Sequence, residues 1–139
     1  MTGAVREGGE LPVLVKHPTT NQLVRYAGAA GDFYQIHYDQ DFARSVGLPG
    51  VILHGLLKAA FLAQLVTDWG GDGARLKSFE VSYRGLDFPG REFTCRGRVR
   101  RVDGSYVELE LWSEDPDGKR TTVGAAVLEL GGEAWRPNA

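Results

Sequence analysis

The sequence predicts an α+β fold in which a curved antiparallel sheet wraps around one long central helix. An apolar run from His54 to about Asp68, interrupted only by Lys58 and Gln64, indicates a helix that is buried on nearly every side. In the C-terminal half, four segments alternate large apolar residues with polar ones, which is the period of a half-buried strand. A sheet that curves around the helix buries the helix and one face of each strand together.

Two elements are predicted ahead of this helix, near the N-terminus. The segment Leu11–Lys16 is short, apolar and rich in Val, which favours a first strand. A helix over Asn21–Ala30 follows, because its apolar residues recur at helical spacing and Thr19 or Thr20 offers a side-chain oxygen to cap it. Gly31 is well suited to end this helix.

An irregular segment and a short helix are predicted before the long helix begins. The residues from Phe33 to Tyr38 show no clear period. Asp39 is placed to cap a helix over Gln40–Val46, and Gly47 is placed to end it.

The four later strands are separated by turn sequences rich in Gly, Asp and Pro. Asp103-Gly104 lies between two alternating segments and predicts a tight hairpin. Arginines alternate along one strand, which indicates a solvated face or an interface with another chain. The predicted strands are Leu76–Arg84, Phe93–Val102, Tyr106–Trp112 and Arg120–Leu130, and the arginines are Arg96, Arg98 and Arg100.

Composition narrows the class of protein. The 139 residues fit a single domain over 1–139, in which residues 1–10, with three glycines, are expected to be flexible. A net charge of −2 gives no electrostatic reason to expect a nucleic-acid or membrane partner. The single cysteine, Cys95, precludes an internal disulfide. The N-terminal residues lack the apolar core of a signal peptide, so we expect a soluble, cytoplasmic protein.

Most groups able to do chemistry lie in the stretch from Tyr26 to Leu57. They include Asp32, His37, Asp39 and His54. Taken singly, Asp39 is favoured as a helix cap and His54 as a structural hydrogen-bonding residue. The four residues could be combined in a metal cluster, but none of their spacings is that of ligands on one helix, so we expect no metal.

One part of this stretch resembles a known family. The run Ala30-Gly31-Asp32-Phe33-Tyr34-Gln35-Ile36-His37-Tyr38-Asp39, followed by His54-Gly55, resembles the signature of the MaoC-like enoyl-CoA hydratases. The resemblance covers about Tyr26 to Val102 and continues more loosely to Leu130. It implies the hot-dog fold, a long helix held in an antiparallel sheet. Tyr34-Gln35 stands where the family usually has Asn-Pro, and this departure could alter the substrate pocket.

The resemblance also implies roles for individual residues. Asp32 and His37 would be the catalytic pair that activates water. Gly55 would bind the thioester oxygen through its backbone N–H, as a donor at the start of a helix can do. Tyr34 and His54 would belong to the substrate-binding site.

The reaction that the resemblance implies is the hydration of a 2-enoyl-CoA to the 3-hydroxyacyl-CoA, or the reverse dehydration. The CoA thioester is the substrate, and no metal or redox cofactor is needed. A hot-dog acyl-CoA thioesterase and a hot-dog subunit that mainly binds a partner are the alternatives. A homodimer, or a heteromer with another hot-dog subunit, is expected. Residues 66–70 are similar to a segment of the small subunits of actinobacterial steroid side-chain enoyl-CoA hydratases, so a steroid and a linear acyl chain both stay open.

Overall fold

The computed structural model describes residues 5–131, which form one five-stranded antiparallel sheet with a long helix packed against it. The strand order is β1-β3-β4-β5-β2, so β1 and β2 are the edges. The strands are β1 (Leu14–Lys16), β2 (Arg75–Tyr83), β3 (Phe93–Asp103), β4 (Tyr106–Glu114) and β5 (Arg120–Glu129). The helices are α1 (Thr20–Ala30), α2 (Gln40–Ser45) and α3 (Gly55–Gly70), with a 3₁₀ turn at Gln35–His37.

The α+β prediction and its element order are confirmed, and local chemistry explains the ends of α1 and α2. The Thr19 side chain accepts a hydrogen bond from the Gln22 N–H at the start of α1. Gly31 ends α1 with φ +70°, a conformation that glycine adopts without strain. Asp39 caps α2 by accepting from the Phe42 N–H at 3.0 Å, as predicted.

Helix α3 supplies the centre of the core, but it is not covered on all sides. Its side chains at Leu57, Phe61, Leu62 and Leu65 are buried against the sheet. Leu56, however, is 58% exposed, and further exposed residues follow it along the same face. The prediction of a helix buried on nearly every side is therefore wrong for this chain alone, because the sheet covers only part of the helix. The other exposed residues of that face are Ala60, Gln64 and Thr67.

The sheet follows the predicted alternation. In β4, Val107, Leu109 and Leu111 are buried in the core while the residues between them are half-buried. The hairpin joining β3 to β4 is closed by the pair Asp103 and Tyr106, with φ +58° at Gly104, so the predicted tight turn is confirmed. Three of the four arginines on β3 form ion pairs with β4, and the pairs are Arg96–Glu114, Arg98–Glu110 and Arg101–Glu108.

The N-terminal segment lies along the outer side of β3. Gly8 donates its N–H to the Val99 carbonyl at 2.8 Å, and Val99 donates to the Gly9 carbonyl at 2.7 Å. The strand predicted from Leu11 begins only at Leu14, although the Leu11 N–H already bonds to β3. The flexibility predicted for residues 1–10 stays a prediction, and residues 1–4 lie outside the described part.

Between residues 5 and 131, none of the helices is both long enough and apolar enough to cross a membrane. The predicted cytoplasmic location stays a prediction.

Candidate active site

Asp32 and His37 come together because one turn immediately precedes Asp32 and a second one ends at His37. Gly31 turns the chain out of α1, and the 3₁₀ turn at Gln35–His37 brings it back. The result places His37 Nε2 3.9 Å from Asp32 Oδ2. His37 is buried, whereas the Asp32 side chain keeps 35% of its surface exposed. The pair therefore presents one buried imidazole and one accessible carboxylate to the same space.

The hydrogen bond on the other ring nitrogen fixes the tautomer of His37. His37 Nδ1 lies 2.8 Å from the carbonyl oxygen of Ile52. Because a carbonyl oxygen can only accept, Nδ1 carries the proton, and the neutral ring leaves a lone pair on Nε2. That lone pair is on the atom nearest Asp32. The ring is thus oriented so that its basic nitrogen lies beside the carboxylate.

The 3.9 Å separation of Nε2 and Oδ2 is too long for a direct hydrogen bond. It is short enough for one water molecule to lie about 2.8 Å from each atom. A water held in this way directs its two protons to the nitrogen and the carboxylate, and its remaining lone pairs point away from the pair. This arrangement can activate water as a nucleophile.

The segment 51–54 connects the pair Asp32 and His37, referred to below as the dyad, to the first turn of α3. Ile52 donates its N–H to the Ile36 carbonyl at 3.1 Å, and Leu53 donates to the Asp87 carbonyl at 2.9 Å. Gly55 then begins α3, where the first N–H groups have no partner inside the helix. These donors, together with the positive end of the helix dipole, can stabilise a developing oxyanion.

Gly55 lies in close contact with the ring of Tyr83 on β2. A Cβ atom at residue 55 would lie 2.9 Å from Tyr83 Cζ and 3.0 Å from Cε2. No side chain fits there unless the ring moves. The absence of a side chain at Gly55 therefore lets Tyr83 pack directly against the start of α3.

His54 lies against the dyad with its ring buried. Its ring stacks on that of His37, with centroids 3.9 Å apart and planes inclined by 22°. The pKa of His54 is lowered, first because burial penalises the charged ring and second because His37 is beside it. The negative charge of Asp32, and after it the Asp32 main chain, opposes this lowering of the pKa, although neither ring nitrogen of His54 has a well-formed hydrogen bond among the described residues. The structure therefore contains a buried, neutral imidazole packed face to face with the candidate base.

This environment predicts that the fold loses stability in acid through His54. The folded pKa lies below the unfolded value of about 6.5, so unfolded chains take up the proton first and stability falls as pH drops below that value. The loss reaches at most about 1.4 kcal/mol per pH unit. We expect His54→Phe, which keeps a ring but cannot titrate, to show a shallower decline of unfolding free energy between pH 6.5 and 5 than the wild type. The exposed His17→Gln is the control, and an equally steep decline for His54→Phe would contradict the assignment.

Tyr26 is a neighbour of the site that the sequence does not single out. Its ring meets that of His54 edge to face, with centroids 4.9 Å apart. Burial and the negative charge of Asp32 raise the pKa of Tyr26. The Tyr26 phenol therefore stays neutral, and the negative charge of Asp32 acts on it.

Asp32, His37 and His54 each have a side-chain atom that could bind a metal ion. One ligand atom from each lies within 4.8 Å of the others. A metal ion lies close to the plane of each imidazole that binds it, about 2.0–2.1 Å from the nitrogen. The two rings are stacked with their planes only 22° apart, so the planes do not meet at such a distance. This donor set does not fit a metal ion as it is arranged. The absence of a metal cofactor stays a prediction.

The structure brings together most of the residues implied by the resemblance. Tyr34 is 54% exposed and meets the His37 ring edge to face at 6.4 Å, so it lies at the rim of the site. Asp39 caps α2, in agreement with its structural reading. The expectation that His54 forms structural hydrogen bonds is wrong, because neither ring nitrogen has a partner among the described residues. Its contacts are ring contacts.

Three parts of the site could not be found from the motif. The carbonyl of Ile52 and the ring of Tyr83 act through tertiary contacts that leave no local pattern. The third part is an ion pair between Lys58 on α3 and Asp87, with 2.9 Å between Nζ and Oδ2. A lysine within an apolar helix was the available signal, because a buried charge needs a partner.

The sheet around α3, with an Asp–His pair before the first turn of that helix, defines a protein of the hot-dog class. The chain superimposes on one chain of the crystal structure of the ChsH1–ChsH2 complex from Mycobacterium tuberculosis with a TM-score of 0.85 and 23% identity, covering 91% of this chain and 99% of the matched one. Residues 7–111 match the family model described as the MaoC like domain. The chain therefore belongs to the MaoC-like domain family.

Several curated proteins, among them the following two, are similar in sequence. The first is the fatty acid synthase beta subunit TOXC of Cochliobolus carbonum, 31% identical over 129 residues that make up 90% of this chain. The match spans only 6% of TOXC, a small part of a much longer protein. The second is the 3-oxo-4,17-pregnadiene-20-carboxyl-CoA hydratase beta subunit of Mycobacterium tuberculosis, 26% identical, with 88% of this chain and 93% of that protein covered.

Proposed function

We propose that this protein hydrates a 2-enoyl-CoA thioester to the 3-hydroxyacyl-CoA, and catalyses the reverse dehydration. The observation that carries the proposal is the placement of His37 Nε2 3.9 Å from Asp32 Oδ2, with the basic nitrogen freed by the bond from Nδ1 to Ile52. Membership of the MaoC-like family supports hydro-lyase chemistry in general. The Asp–His roles and the enoyl-CoA substrate are the parts that we add.

The reaction begins with water held between Asp32 and His37. One of the two groups takes a proton from the water while the oxygen forms a bond to C3 of the enoyl group. The electrons of the C2–C3 double bond move toward the thioester, and its oxygen becomes an enolate. C2 then takes a proton from the dyad, so that one water is added in total. The dehydration runs through the same steps in reverse.

The enolate oxygen is the charge that the site must stabilise. The N–H of Gly55 is at the first position of α3, where no backbone carbonyl of the helix competes for it. Donors of this kind contribute roughly two to three orders of magnitude in rate. The rings of His54 and Tyr26 pack behind His37 and give this end of the site an environment of low polarity, in which electrostatic interactions are stronger than in water.

The test compares unsaturated and saturated acyl-CoA. We expect loss of the enoyl chromophore and formation of a 3-hydroxyacyl-CoA from 2-enoyl substrates, with no release of CoA thiol from saturated acyl-CoA. Thiol release from the saturated substrate, without hydration, would favour the thioesterase alternative instead. A set of enoyl-CoA substrates from short linear chains to steroid side chains measures how the exposed Tyr34-Gln35 segment selects the acyl group.

A second hot-dog subunit, identical or different, is proposed as the partner. The named hydratase relative is a beta subunit, and the ChsH1–ChsH2 structure is a complex of two proteins. In this chain, β2 is an edge strand whose residues are mostly exposed, and Leu76 and Tyr83 present apolar surface there. Leu56 adds exposed apolar surface one residue after Gly55. A partner at this face would complete the site. Specific activity that rises with protein concentration, or with an added hot-dog subunit, would support this pairing.

A further inference from the structure

A buried ion pair lies one helical turn beyond Gly55. Lys58 Nζ is 2.9 Å from Asp87 Oδ2, and the two side chains are only 4% and 5% exposed. The same ammonium donates to the Gly85 carbonyl at 2.9 Å. Burying two charges costs desolvation that their attraction barely offsets, so apolar residues of similar volume would serve a purely structural role equally well. Stability alone therefore does not explain why this core position holds an ion pair, which suggests a role in positioning neighbouring groups.

The pair joins two segments that meet at the dyad. Asp87 binds Lys58 through its side chain, and through its carbonyl it accepts the N–H of Leu53 at 2.9 Å. The residue next to Leu53 is Ile52, whose carbonyl oxygen holds His37 Nδ1. A continuous series of contacts thus runs from the first turns of α3, through Asp87, to the atom that sets the His37 tautomer.

The segment that carries Asp87 is itself anchored to the sheet. Arg84 and Gly85 both donate their N–H groups to the Thr121 carbonyl on β5, at 2.9 Å and 3.0 Å. Thr121 is buried and exchanges a hydrogen bond with Ser113 on β4 at 2.9 Å. The hydrogen bond from Leu53 to Asp87 therefore ties the segment 51–54 to a segment that is itself bonded to β5.

Tyr83 links the same pair to the proposed oxyanion donor. Lys58 Nζ lies 5.6 Å from the centroid of the Tyr83 ring. That ring is the one packed against Gly55. An ammonium held over the aromatic face helps to keep the ring in place. One lysine therefore contacts both the support of His37 and the ring that covers the start of α3.

We propose that Lys58 and Asp87 are positioning residues for the hydration reaction. They hold the Ile52 carbonyl at a fixed position relative to the first turn of α3. In this way they fix the Nδ1–H tautomer of His37 and the direction of the Gly55 N–H. This inference rests on the proposed function, and it assigns these two residues no contact with the substrate.

The test uses a double variant that removes both charges and keeps the volume. In Lys58→Met/Asp87→Leu no charge is left buried without a partner, so the fold is expected to survive. We expect kcat to fall about 10- to 100-fold, since small misplacements of catalytic groups have effects of that size. We expect KM to change less than about twofold, because KM is insensitive to interactions made only in the transition state. Arg101→Met, which breaks exposed ion pairs with Asp103 and Glu108 on the β3–β4 hairpin, is the matched control and should leave kcat unchanged.

Two further measurements separate positioning from simple stability. Asp87→Asn keeps an acceptor of the same shape for Lys58, so the folded variant should retain most of kcat, although the buried ammonium without a counter-charge lowers its stability. The ¹⁵N spectrum of His37 should show a single Nδ1–H tautomer in the wild type and a mixture in the double variant. A folded double variant with wild-type kcat, or with an unchanged His37 spectrum, would overturn the positioning role. A wild type that shows the single tautomer but never hydrates an enoyl-CoA would instead refute the proposed function.

Discussion

Asp32→Asn is expected to abolish most of the hydration activity while leaving the fold intact. Asparagine keeps the shape of the side chain but cannot accept the proton of the water held beside His37 Nε2, 3.9 Å away. General acid–base groups contribute about 10²- to 10⁴-fold to rates, so we expect kcat to fall within that range. Among the described residues, Asp32 caps no helix and its ion-pair contact is the 3.9 Å approach to His37; since its side chain is 35% exposed, its replacement should not unfold the protein.

The comparison requires a control of the same chemistry. Asp41→Asn changes an exposed carboxylate in the first turn of α2, close in sequence and outside the dyad. Both variants should unfold at nearly the same temperature as the wild type. Initial rates of enoyl-CoA hydration then report the role of Asp32 directly. Full activity in Asp32→Asn would exclude this carboxylate as the catalytic base or acid.

Gly55→Ala is the second change with a large expected effect. The new Cβ would lie 2.9 Å from Tyr83 Cζ, closer than real contacts permit, so either the ring or the start of α3 must shift. A shift of the helix start moves the N–H that binds the enolate oxygen, and losing such a donor costs roughly 10²- to 10³-fold in kcat. We expect hydration rates to fall by that amount.

A matched glycine and a compensating variant identify the cause. Gly28→Ala on α1 adds a Cβ with no atom within 4 Å, so it should be neutral or stabilise the helix by up to about 1 kcal/mol. Gly55→Ala/Tyr83→Ala removes the ring that the new methyl group meets and should recover part of the lost kcat. Wild-type kcat in Gly55→Ala alone would contradict the expected displacement of the helix start and would mean that the Tyr83 ring has moved instead.

The elements that could be predicted are those whose signals are local. The cap at Thr19, the left-handed Gly31, the cap at Asp39 and the turn at Gly104 all act within a few residues, and each is found where the sequence predicts it. Strand alternation likewise reports burial of one face, which any packed sheet requires. These signals together were sufficient for the α+β architecture.

The exposed face of α3 was not predictable in the same way. Periodicity shows that Leu56 and its neighbours are apolar, but it does not show whether this chain or another one covers them. Within the described residues the sheet leaves that face open. The exposed side chain of Leu56, one residue after Gly55, is therefore consistent with the partner subunit proposed above.

In the candidate site, too, the features with local sequence signals were predictable and those made by distant segments were not. The motif placed Asp32 and His37 in one region, and the turns at Gly31 and at Gln35–His37 explain how these two residues meet. The stacking of His54 on His37 and the Lys58–Asp87 pair depend on contacts between segments distant in sequence. No local pattern encodes such contacts, so they emerge only from the packed structure.

Isotope labelling of the product tests the central claim most directly. The protein is incubated with a 2-enoyl-CoA in water enriched in ¹⁸O, and the products are analysed by mass spectrometry. Activation of water by Asp32 and His37 predicts one ¹⁸O in the hydroxyl group at C3 of an intact 3-hydroxyacyl-CoA, with the label lost in Asp32→Asn. Appearance of ¹⁸O in a free carboxylate together with released CoA, and none at C3, would contradict the account.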